Sequence, residues 1–393
     1  MEILHLAGHF HKWNLDAHFQ NDIGDGFVFC AYSFPQGFFA SPKICGYRTE
    51  DILEKSFFDL QYFGKREGGK LSKGKLSTYS FHPSANPNSE EETNVLIESQ
   101  IKRGIAYQID TLGLSRVIIP VYYQNDKPGD FIAMIKTINK WLSSNRRDGI
   151  KYYMTIPLAN HTIIDKDSVE DLLYHLTDIS IIFDGYYITC EAKPEAFQKI
   201  SIDFKYLYNL STVFKVLKEQ KFETIYSYAN WDALIFLSVT DIDYVTIGTY
   251  ENLRNFSIKR FTEEEDGGPS KGWYFSEKLL NFVKAQQLDL VRLNRGLDII
   301  KNERNIFSDT VLVEGYPWSN QKPEVHKNYL MAIDRLLMEL ASESNLNKRR
   351  SIMLSKIDSA IEAYHQLELK KIHLTNESKN YHLVTWKSFL MSF

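Results

Sequence analysis

Two carboxylates stand where acid–base chemistry is usually done, each at the end of a short apolar run. Glu191 closes GYYITCEA (185–192), and Glu314 lies in TVLVEGY (310–316). Side chains alternate along an extended run, so Tyr187, Thr189 and Glu191 share one face and Ile188 and Cys190 take the other. A carboxylate at such an end, close to Lys193, can give or take a proton. Glu191 and Glu314 as a catalytic pair would suit glycosyl chemistry, in which one carboxyl protonates the leaving oxygen and the other attacks or activates water. The competing explanation for either is a salt bridge to a neighbouring Lys or Arg.

Polar and aromatic residues at the ends of similar runs are the candidate substrate contacts. They are His82 after LSTYSF, Tyr123 ending RVIIPVYY, Asn160 after KYYMTIPL, Lys193, and Tyr228 and Asn230 around ETIYSYA. Gly248, Tyr250 and Arg254 follow in DYVTIGTYENLR (243–254). Amides and hydroxyls would orient a polar ring, and tyrosines would stack on a sugar or base or else fill the core. A glycine turn with free N–H groups, followed by Arg254, is an arrangement for an anion. Locally, 243–253 resembles the glycine turn after a late strand of the tRNA-guanine transglycosylase barrel, although that family's CxC-type zinc cluster has no counterpart here. His9 and His11 have the HxH spacing of amidohydrolase-type barrels. The later histidine ligands are missing, so loop histidines are the better reading and no metal is assigned. No GxGxxG or P-loop pattern follows any run, and the cofactor is left open.

These residues need elements to hold them. Runs rich in β-branched and aromatic residues recur at 27–34, 76–82, 116–123, 151–158, 185–192, 223–229, 243–249 and 310–316, each the length of a buried strand. Segments with helical spacing lie between them, at 50–62, 91–112, 130–145, 167–177, 203–220 and 230–239. Such alternation implies parallel strands joined by right-handed crossovers. The expected fold is an α/β (β/α)8 TIM-type barrel, with a doubly wound open parallel sheet as the alternative. EILHL at the start reads as an extra strand outside the barrel count. By this register the long acidic loop 261–275 is a candidate lid, and the basic loop 64–75 belongs to the opposite face.

The barrel domain is expected over 1–342, with a helical appendage over 343–393. In the appendage Leu354, Ile357, Ile361 and Tyr364 form an apolar stripe that needs covering, by a protein partner, a second copy through 343–372, or the barrel itself. Lys plus Arg number 46 against 50 for Asp plus Glu, a net charge of -4, which does not indicate a nucleic-acid coat. Cys30, Cys45 and Cys190 are too few and too scattered for a disulfide framework, and the histidine-bearing start does not read as a signal peptide. No run is long and apolar enough to span a membrane, and a cytoplasmic location is expected. The expected function is a barrel enzyme, a transferase or hydrolase, acting on a nucleoside, nucleotide or glycoside. The alternative is a non-catalytic barrel serving as a scaffold subunit of a complex.

Overall fold

The computed structural model describes residues 1–63, 74–83, 90–122, 128–262 and 272–393. Eight parallel strands form one sheet: β1 (Glu2–Leu6), β2 (Gly26–Cys30), β3 (Ser56–Asp59), β4 (Arg116–Ile119), β5 (Lys151–Leu158), β6 (Gly185–Cys190), β7 (Glu223–Ser227) and β8 (Tyr244–Gly248). β1 pairs with both β2 and β8, so the two ends of the strand sequence meet. The ladders continue from β8 through β7, β6 and β5 to β4, and from β2 to β3. Only β3 and β4 lie side by side without a ladder among the described residues, and the sheet is a nearly closed barrel.

A side chain stands in for the missing ladder. Gln108 Nε2 donates to the Ile118 carbonyl at 2.8 Å, and its Oε1 accepts from the Ile118 N–H at 3.1 Å. Buried backbone groups must be paired somewhere, and here one carboxamide pairs both. Gln108 lies in a helical run from Glu90 to Thr111 that is interrupted by two π segments, Ile97–Ile101 and Tyr107–Thr111. The wider turn of the second aims Gln108 at the seam. At the barrel floor, Arg116 bridges the same seam by stacking on Phe57 of β3 at 4.5 Å and pairing with Glu2 at 3.1 Å.

Helices cover the sheet. They include α1 (His11–Asn21), α2 (Pro128–Ser143), α3 (Lys166–Leu176), α4 (Phe204–Glu219) and α5 (Ala233–Val239). α3 and α4 start where Asp165 and Asp203 accept hydrogen bonds from backbone N–H groups of their first turns. The sequence places Asp130 to cap the start of α2, but that side chain lies outside the described side chains. Beyond β8 come a hairpin, β9 (Trp273–Ser276) with β10 (Asn281–Lys284), and a long helix, α6 (Pro323–Ala341). α6 packs against α1, α5, β8 and β9.

Four expectations are corrected. EILHL is the first barrel strand, paired on both sides, so the strand count shifts by one. The strand SFFD was read within a helix, because the helix before it, Thr49–Leu53, is only five residues long. Residues 76–82 form a 3-10 turn and loop rather than a strand, and 310–316 is the end of the helix Ile306–Val311 followed by a turn. Residues 60–63, at the C-terminal end of β3, therefore lie at the mouth, so the assignment of 64–75 to the opposite face loses its basis; 64–73 themselves lie outside the described residues.

The apolar stripe of the tail is covered by its own chain. In α7 (Leu346–Leu369), Met353, Ile357, Ala360, Tyr364 and Leu367 are buried against α5, α6 and α8 (Leu383–Met391), with Leu354 and Ile361 half-buried. The argument for a partner through 343–372 loses its motive. No helix among the described residues is long and apolar enough to cross a membrane.

Candidate active site at the barrel mouth

Side chains of β3, β6 and β7 that point into the barrel converge at its C-terminal end. Phe57, Tyr187 and Ile225 belong to one interior apolar cluster, so by alternation Asp59, Thr189, Glu191 and Ser227 also face inward. Asp59 is fully buried. Its Oδ1 accepts from the Gln61 N–H at 2.9 Å and its Oδ2 from the Tyr187 hydroxyl at 3.2 Å. Ser227 in turn donates to the Tyr187 oxygen at 2.5 Å, a relay that links β7, β6 and β3. Burial pushes the Asp59 carboxyl from 3.8 up to about 7, with the Gln61 and Tyr187 bonds and the positive charge of Arg260 pulling the other way. A carboxyl in that range holds its proton near neutrality and can still give it up.

Glu191 stands one residue past β6, half-buried, its Oε1 accepting from the Ile258 N–H at 2.9 Å. Asn160, which opens the short helix after β5, donates to the Glu191 carbonyl at 3.2 Å. The Thr189 hydroxyl, between Tyr187 and Glu191 on the same face, is buried with no hydrogen-bond partner among the described residues. Leaving such a group unmet costs about 1–3 kcal/mol, so it marks a place for a ligand or water atom.

The cluster is roofed by Phe63, Phe256, Phe261 and Arg260. Phe63 meets Phe256 at 5.3 Å and Phe261 at 5.0 Å between ring centroids. The Arg260 guanidinium lies 4.8 Å over the Tyr32 ring and donates to the Asn252 carbonyl at 3.1 Å. The chain beyond this roof, the 263–271 part of the candidate lid, lies outside the described residues.

The remaining predicted residues divide into three groups. Tyr228 and Asn230 are at the mouth: the buried Tyr228 hydroxyl accepts from Gln61 Nε2 at 2.6 Å, and Asn230 lines a small cavity with Cys190, Asp232 and Arg254. Tyr250 and Arg254 line a different cavity, between the turn after β8, the hairpin and α6. Gly248 serves packing there, because a Cβ on it would sit 2.4 Å from the Leu253 carbonyl oxygen as the turn folds back.

The third group is apart from the mouth chemistry. Lys193 is exposed on the loop after β6. Glu314 is exposed in a turn and ends no strand, so its pairing with Glu191 across the mouth is not met. His82 is buried in a loop, edge-on to Tyr62, rather than at a strand end. Tyr123 lies outside the described residues. Among the described residues no group of three or more His, Cys, Asp or Glu side chains is placed to hold a metal. His11 faces Cys45 Sγ at 3.6 Å, and His9 is exposed.

Asp59, Gln61, Ser227 and Arg260 were not singled out from sequence. The available signal was the period of two in SFFDLQYF, which puts Phe57, Asp59 and Gln61 in phase. No protein-family model matches the chain, and no curated protein matches its sequence.

Proposed function

We propose that the chain is a cytoplasmic TIM-type (β/α)8-barrel enzyme with a helical appendage, acting by acid–base catalysis on a polar ring-bearing substrate, a nucleoside, nucleotide or glycoside. The observation that carries this reading is the buried Asp59 carboxyl, raised to about 7 and wired through Tyr187 to Ser227 at the C-terminal mouth. Perturbed carboxyls of this kind concentrate at active sites, and mouths of barrels are where such sites are built. Asp59 would protonate the leaving oxygen, and Glu191 would be the second carboxylate, replacing Glu314 in the pair. The unmet Thr189 hydroxyl is the nearest donor for a substrate oxygen, with Tyr228 and Asn230 positioning the ring. Three unpaired cysteines agree with a reducing compartment.

One observation favours a second reading, a non-catalytic scaffold subunit: the phenylalanine roof leaves Asp59 with no exposed surface. Turnover of p-nitrophenyl glycosides and of nucleosides separates the two. The enzyme reading expects release that falls on the alkaline side of about pH 7 and drops about a hundredfold or more in Asp59→Asn. No release from either panel, or release indifferent to Asp59→Asn, leaves the scaffold.

A further inference from the structure

The second cavity, beside the turn after β8, encloses about 170 Å³ and is walled by Tyr250, Trp273, Phe282, Val325, His326 and Tyr329. Its walls are fixed. Tyr250 donates to the Asn320 carbonyl at 3.1 Å, and the two nitrogens of His326 lie 2.7 Å from the Asn320 and Thr249 carbonyl oxygens. Trp13 stacks behind His326 at 5.1 Å. A cavity of roughly 150 Å³ is enough for one benzene-sized ring.

Into this largely aromatic chamber, which Glu251 also lines, points one cation. Arg254 is 8% exposed, its guanidinium 4.8 Å from the Phe282 ring centre and 4.5 Å from that of Tyr329. Its Nε has no hydrogen-bond partner among the described residues. Among the described residues the acids nearby are Glu251, which pairs with Lys199 at 2.8 Å, Glu377, which pairs with Lys284 at 3.0 Å, and Asp232, whose carboxyl burial raises to about 7. A buried charge with no salt-bridge partner among the described residues is costly, and the rings on its faces and the more distant Glu251 supply only part of the compensation. Among the described residues no carboxylate forms a salt bridge with Arg254, so a monoanion would meet its charge, and a planar fork is best matched by a planar carboxylate.

We propose that this cavity binds a small planar monocarboxylate carrying one six-membered ring, its carboxylate taken by Arg254 and its ring laid against Tyr250, Trp273 and Val325. Arg254 also borders the small cavity of Tyr228 and Asn230, but Asp59 lines neither cavity, so the benzoate test does not depend on the Asp59 chemistry.

Isothermal titration of the full chain with benzoate tests this, with benzamide, acetate and inorganic phosphate titrated in parallel. The expected result is one benzoate per chain, with benzamide (no charge), acetate (no ring) and phosphate (not planar) each weaker by about tenfold or more. Arg254→Met, which keeps the stem between the rings, is expected to weaken benzoate by a similar factor. If that variant fails to fold, the benzoate-to-benzamide ratio on the unaltered chain decides alone. Benzamide binding as tightly as benzoate, phosphate binding more tightly, no benzoate heat at millimolar concentration, or a folded Arg254→Met with unchanged affinity would each overturn the proposal.

Discussion

Gln61 Nε2 donates a 2.6 Å hydrogen bond to the Tyr228 hydroxyl, and both residues hold left-handed backbones, with φ of 54° and 53°. Side chains other than glycine avoid that region, so two strained positions at the ends of β3 and β7 are tied together across the mouth. Gln61 Oε1 also accepts from the Tyr32 N–H at 2.9 Å, which draws the end of β2 into the same knot.

Tyr228→Phe keeps the ring but leaves the Gln61 amide without its acceptor. The expected loss is about 1–3 kcal/mol of stability, read from urea unfolding at fixed pH. A variant as stable as the parent would mean that the strain is held by packing alone.

Asp59 gives stability a pH dependence with a definite sign. Its folded pKa, about 7, lies above the ordinary 3.8, so the folded chain binds this proton more tightly than the unfolded chain does. The contribution is therefore greatest below the ordinary value and is lost as pH climbs toward 7, by at most about 1.4 kcal/mol per pH unit. Asp59→Asn removes it, so the variant should gain on the parent between pH 4.5 and 8. Asp232, also raised to about 7 by burial, is common to both chains and cancels in the difference. Parallel stability profiles would refute the assignment.

Gln108→Met should be among the most damaging single changes away from the apolar core. It fills much the same volume but orphans the N–H and the carbonyl of Ile118, at about 2–4 kcal/mol for the two groups together. A loss below about 1 kcal/mol would show that the seam is satisfied by other means.

Arg349 fastens the tail. Buried at the start of α7, it donates to the Leu237 carbonyl at 2.9 Å, to the Thr240 carbonyl at 3.3 Å and to Asp241, while gripping the Glu343 carbonyl at 2.8 Å. The Leu237 and Thr240 acceptors are free carbonyls at the C-terminal end of α5. Arg349→Met should cost about 2–4 kcal/mol. Truncation after Ser342 should yield an aggregating chain rather than a stable barrel in light scattering, because it strips cover from core residues along α5 and α6.

Seven of the eight strands were legible as strands, with EILHL left outside the barrel count, because β-branched and aromatic residues run together in them. β3 was not, since SFFD directly follows the five-residue helix Thr49–Leu53 and was absorbed into that segment's helical spacing. LSTYSFH and TVLVEGY misled for a related reason: aromatic and branched residues buried in loops and short helices imitate strand composition. Glu191 could be found because β6 fixes its phase, whereas Asp59 depended on a strand not yet recognised. Arg254 was visible as a cation in a turn. Its aromatic surroundings come from Phe282 and Tyr329, far along the chain, and no local pattern announces them.

The Gln108 seam also decides where the cylinder can breathe. Every other joint between neighbouring strands is a backbone ladder, whereas here the Ile118 N–H and carbonyl are held by one side chain, Gln108, which a single rotation releases. The amide of Ile118 should therefore exchange its hydrogen for deuterium sooner than those of Val117 and Ile119, which face the β5 ladder. Solvent admitted along that line would reach the interior from the side, beneath the phenylalanine roof, and exchange of the Asp59 proton would then not require the roof to lift.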